Sequence, residues 1–143
     1  MKKIILLTVF AVLLFTGCAS KLSTVELQEL KDYKEKELLV EEKSTTTAAW
    51  LGLLPGGGSF YTRSYWIGTA NLLLWPYSIL WDPFSGVNGA ETINYEASKF
   101  HAEQEQDNDM LALKRKVEDK TISEEEYKVQ KRAIEDKYHT EVL

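Results

Sequence analysis

Few residues of this chain carry chemistry at a productive spacing. Ser59 sits in Gly57-Gly58-Ser59-Phe60, which is not the pattern of a nucleophile elbow and brings no histidine into view. His101 and His139 lie far apart in sequence and outside any ligand-spaced acidic group, so they read as solvated helix positions and no metal site is expected. Carboxylates are plentiful, but they sit in charged helices, where no burial raises one of a pair into a general acid. The run Pro55-Gly56-Gly57-Gly58 is glycine-rich; for a phosphate loop it lacks a following Lys-Ser or Lys-Thr and a preceding strand. No catalytic residue and no dissociable cofactor are expected, and the chain reads as a non-enzyme. The one nucleophile with a defined setting is the single cysteine, Cys18.

Lys2 and Lys3 open the chain, an apolar run follows from Ile4 to Phe15, and Thr16-Gly17 precede Cys18. A charged start, a hydrophobic stretch short for a bilayer span and small residues before a cysteine together resemble the signal peptide and lipobox of bacterial lipoproteins. That resemblance implies cleavage before Cys18, which then carries a thioether-linked diacylglycerol and an N-acyl chain. Its thiol is consumed, leaving no disulfide, thiolate nucleophile or soft-metal ligand. Each buried methylene contributes about 0.8 kcal/mol, so the acyl chains alone hold the protein on membrane lipid. Ala19-Ser20, rather than aspartate, follows the cysteine. Under the enterobacterial sorting rule this implies the periplasmic face of the outer membrane.

Without Lys2 and Lys3 the 17 basic residues become 15 against 22 acidic ones, a net charge of −7. No basic surface remains for nucleic acid, and the mixed lysine and glutamate report solvated helix faces. Apolar residues are unevenly spread. Trp50, Trp66, Trp75 and Trp81 all fall in one central block, whereas the flanks are charged and poor in large apolar residues.

The pattern predicts an all-α protein in five parts: a signal peptide over 1–17, a lipidated N-terminus and tether helix over 18–43, an apolar membrane-associated hairpin over 44–86, a polar helix or linker over 87–109, and a helical hairpin over 110–143. Ser23-x-x-Glu26 and Ser123-x-x-Glu126 are capping boxes that start helices in the first and last of the mature parts. From Ser44 to Trp81 the only charge is Arg63. A turn expected over Pro55, Gly56, Gly57 and Gly58 leaves about ten helical residues before it, about 15 Å, or half a hydrocarbon core. The stretch after Arg63 could reach about 27 Å, but Pro76 should kink or end it. Such broken apolar segments with terminal tryptophans predict a hairpin that dips into one leaflet. Ser64, Gly68, Asn71, Trp75 and Ser78 recur at helical spacing and form a stripe, for which Asn71 needs a partner on the Ser44–Leu54 helix or on another copy. In the polar region a break is expected near Gln104–Asp109.

Leu53-Leu54-Pro55-Gly56-Gly57-Gly58-Ser59-Phe60-Tyr61, Gly68, Leu72-Leu73-Leu74-Trp75-Pro76 and Ile79-Leu80-Trp81-Asp82-Pro83 are similar to the short two-helix membrane modules of the TM2 type and their lipoprotein relatives. Arg63-Ser64 stands where those modules have a glycine. Leu111, Leu113, Val117 and the run from Glu118 to Tyr127, with Lys131 and Ile134, resemble the C-terminal SHOCT hairpin, whose turn glycine is Lys120 here. Tyr127, Ile134 and Tyr138 are placed to meet Leu113 and Val117. So small a core is marginal by itself and is expected to gain from a second copy or a partner.

The expected function is a lipid-anchored, non-enzymatic structural or scaffold protein of the cell envelope. Its expected partners are membrane lipid and further copies or other envelope proteins, with Trp50, Trp66, Gly68, Asn71, Trp75 and Trp81 as membrane or packing residues. The alternative is a periplasmic module that binds a lipid or hydrophobic ligand for transport or sensing.

Overall fold

The computed structural model describes residues 21–140, and every regular element among them is helical. Cys18 lies outside the described residues. The helices are α1 (Thr24–Glu35), α2 (Thr45–Leu51), α3 (Gly57–Tyr61), α4 (Tyr65–Leu73), α5 (Asp82–Glu118) and α6 (Glu124–Tyr138), with a 3-10 turn over Tyr77–Leu80 before α5. They form two compact units. One holds 21–22 and Glu42–Ile93; the other holds Ser23–Glu41 and 94–140. No helix among the described residues is long and apolar enough to cross a membrane.

In the first unit, turn chemistry divides the apolar block more finely than a two-helix hairpin. Ser44 starts α2 by accepting the Thr47 N–H, and Gly52 to Gly56 end it. Gly56 has φ 71, a left-handed conformation that costs glycine nothing. Gly57 and Gly58, expected as part of the turn, are instead the first residues of α3. That helix closes when the Ser64 N–H reaches Ser59 O at 2.9 Å and the Arg63 N–H reaches Phe60 O at 3.1 Å, which is a Schellman motif with Arg63 at the left-handed position. Helix α4 then stops at Leu73, short of Pro76, because the residue before a proline disfavours helix and the proline donates no N–H.

The second unit is built from two chain segments. Capping boxes start α1 at Ser23 and α6 at Ser123 as the spacing predicts. Helix α1 is not a free tether: Tyr33 and Leu38 are buried, the Tyr33 and Tyr95 rings lie 6.4 Å apart, and the Tyr95 hydroxyl donates to Glu29 at 2.5 Å. Burial first, then that hydrogen bond to Glu29, pushes the Tyr95 hydroxyl pKa up. The Val40 N–H donates to Ser98 Oγ at 2.9 Å. Lys36 reaches Asp136 O at 3.2 Å and also donates to His139 O. The C-terminal hairpin thereby gains a third helix from its own chain.

The break expected near Gln104–Asp109 is absent, since α5 runs unbroken through it. Asp109, a poor interior helix residue when its side chain competes with the backbone, is instead occupied by the Tyr138 hydroxyl at 2.8 Å and Lys137 at 3.1 Å. The hydrogen bond from Tyr138, then that from Lys137, holds its carboxyl below the usual aspartate value.

Candidate functional site

Between residues 44 and 93 the buried residues are Ala48, Gly52, Gly56, Gly58, Ser59, Thr62, Gly68, Asn71, Ser78, Asp82, Gly86, Gly89 and Ala90. Each is glycine, alanine or a short polar residue. None of the large apolar side chains in that range is buried: Leu51, Ile67, Leu74, Ile79, Val87 and Ile93 are half-buried, and the tryptophans, phenylalanines and other leucines are exposed, Trp66 at 89 %, Leu73 80 %, Leu80 74 %, Phe84 72 % and Trp50 70 %. This inverts the rule for a unit folded in water, where the bulky apolar residues fill the interior.

Close backbone approach makes the inversion possible. A Cβ at Gly52 would lie 2.4 Å from Pro83 Cα, and one at Gly86 would lie 2.9 Å from Ala48 O and 3.0 Å from Gly58 Cα. The residues at these contacts pair four apart along their helices, as Ala48 with Gly52, Gly58 with Thr62 and Gly86 with Ala90. That small-xxx-small spacing lets helices meet without bulky side chains, as in membrane proteins, where lipid removes the hydrophobic drive between helices.

Polar groups lock the centre. The Asn71 amide donates to Asp82 Oδ1 at 2.6 Å and to Ser59 Oγ at 3.1 Å, and its oxygen accepts from Trp81 Nε1 at 2.9 Å. The Ser59 hydroxyl donates to the same Asp82 oxygen at 2.5 Å. Asp82 and Ser59 are fully buried, so this serine and carboxylate tie α3, α4 and the start of α5 together and present no atom to a substrate. Asp82 Oδ2 and the Ser78 and Ser85 hydroxyls are buried without a hydrogen-bond partner.

The expected stripe is therefore used inside its own unit. Gly68 lies under the Phe60 ring, 2.8 Å from where its Cβ would be, and Asn71 finds its partners on α3, at Trp81 and on α5. Neither the Ser44–Leu54 helix nor another copy supplies them, because the chain after Pro76 folds back and brings Asp82 to Asn71. Trp50, Trp66 and Trp75 are exposed, Trp81 is exposed but tethered through its indole nitrogen, and Pro55 is half-buried. His101 is half-buried and His139 exposed. Among the described residues no group of three or more metal-binding side chains comes together.

Reading the sequence singled out neither Asp82 as a buried anchor nor Ser59 as its partner. The available signals were small residues at four-residue spacing and a carboxylate at the end of an otherwise uncharged stretch. Comparison with protein-family models, curated proteins and solved structures finds no match for this chain.

Proposed function

We propose that this chain is a non-enzymatic membrane lipoprotein of the bacterial envelope, held by acyl chains on Cys18 and seated in one leaflet by the unit Glu42–Ile93. It serves as an anchored scaffold whose charged second unit stays in water and meets other envelope proteins or further copies. The observation that carries this reading is the inverted unit, with thirteen small or polar residues inside and the tryptophans and leucines outside. An exposed apolar surface of this kind marks a membrane or protein interaction site. The lipobox resemblance adds a membrane to the same end of the chain. A monotopic seat also suits helices too short to span.

A carrier of a hydrophobic ligand has less support, since its aromatic residues would line an enclosed space and here they are turned outward. The deciding experiment is carbonate extraction of membranes that contain a Cys18→Ser form secreted behind an unrelated cleavable signal. Retention in the pellet is expected. Release as a soluble monomer would remove the membrane role of the unit.

A further inference from the structure

Arg63 is the only charged residue between Ser44 and Trp81, and the fold does not require an arginine there. Its backbone is left-handed at φ 62, where glycine is the cheaper residue. Its guanidinium is 63 % exposed and meets Glu42 Oε2 at 3.5 Å, a loose surface pair of the kind that adds little to stability.

Three further polar groups gather with it at one edge of the unit. Lys43 Nζ stands 4.5 Å from the centre of the Tyr61 ring, the Ser44 N–H donates to the Tyr61 hydroxyl at 3.1 Å, and Glu42 pairs with Arg63. Beside this edge in the chain come Phe60, Tyr65 and Trp66, all exposed. Cations with long apolar stems next to tyrosine and tryptophan are the composition found where protein crosses from hydrocarbon to headgroup.

We infer that Arg63 binds a phospholipid phosphate and that the edge of Glu42, Lys43, Tyr61 and Arg63 sits at the headgroup layer; this rests on the membrane reading of the unit. The planar guanidinium matches two phosphate oxygens at once, which an ammonium does not. Glu42 repels free anions from the same spot. A lipid phosphate overcomes that repulsion because its acyl chains meet Trp66 and its neighbours, so the apolar contact and the charge contact select the same molecule.

The test uses the chain from residue 18 onward, with Cys18→Ser, secreted behind a cleavable signal and mixed with vesicles of phosphatidylcholine alone or with added phosphatidylglycerol. Flotation of the unsubstituted chain, Arg63→Gly and Arg63→Lys is compared, and the melting midpoint of each is measured without lipid. The expected result is about fivefold weaker binding of Arg63→Gly to the anionic vesicles, with a melting midpoint equal to or above that of the parent, and only part of the binding restored in Arg63→Lys, which keeps the charge without the two-point fit to phosphate. Equal binding by Arg63→Gly overturns the inference and leaves the membrane reading standing. A lowered midpoint in Arg63→Gly without rescue by Arg63→Lys makes the residue structural and also overturns it. If the parent floats with neither vesicle, the membrane reading falls and the inference with it.

Discussion

Asn71 shows how much a single side chain carries where the buried residues between 44 and 93 are glycine, alanine and short polar residues. It satisfies a donor on Trp81 and supplies a donor to each of Asp82 and Ser59. Replacement by leucine removes all three bonds at once, leaving the Trp81 indole N–H without its acceptor and Asp82 Oδ1 with Ser59 alone. Stranding a buried polar group costs about 1–3 kcal/mol, and more where a charge is involved. Asn71→Leu should therefore lose about 3 kcal/mol or more in denaturant unfolding followed by tryptophan fluorescence, whereas Trp81→Phe, which strands only the Asn71 oxygen and leaves three tryptophans to report, should lose about 1 kcal/mol. Equal losses would mean that Asp82 does not depend on Asn71. Asn71 stood out in the sequence as the polar member of an apolar stripe. Its partners did not, because Asp82 lies eleven residues on and reaches it only through the reversal after Pro76.

At the scale of helices, the charged residues at helix ends explain both what the sequence disclosed and what it hid. Both capping boxes were legible, since the signal is a local spacing of serine and glutamate. The C-terminal ends were less so. Glu37, Arg63 and Lys120 have φ 59, 62 and 54, and each closes a Schellman motif, through Leu38 N–H to Tyr33 O, Ser64 N–H to Ser59 O and Thr121 N–H to Lys116 O. Glycine is the residue that announces such an end, and none is present. Lys120 closes the turn between α5 and α6 with a left-handed backbone, the conformation for which glycine is suited. Lys120→Gly should then stabilise the α5–α6 hairpin by about 0.5–1 kcal/mol, the relief of a left-handed Cβ less the added freedom of the unfolded chain. A rise in the denaturant midpoint at unchanged slope checks it, and a fall would show that the lysine side chain contributes more than its backbone costs. The small residues of α2, α3 and α5 were hidden for another reason. Hydrophobic periodicity points to bulky faces, and here the buried face is the one without bulk.

The whole molecule joins two units with opposite relations to water, and its stability should divide in the same way. All four tryptophans belong to the unit Glu42–Ile93, so their fluorescence follows that unit alone, whereas α1, α6 and much of α5 give the second unit a large share of the helicity. In the first unit the interior offers few methylenes to bury, and transfer of apolar surface from water cannot be its main support at about 25 cal/mol per Å². Its exposed tryptophans and leucines recover that free energy when hydrocarbon or another apolar surface covers them. The second unit buries Tyr33, Leu38, Tyr95, Leu113 and Tyr138 in the ordinary way and gains nothing from an apolar solvent. Unfolding of the chain from residue 18 onward should consequently depart from two-state behaviour, with the tryptophan transition preceding the loss of helicity in buffer. A non-ionic detergent above its micelle concentration should raise the tryptophan transition by several degrees and leave the later helicity loss in place. Coincident transitions that detergent moves together would mean that the two units unfold as one, and that the outward tryptophans do not set the stability of the unit that bears them.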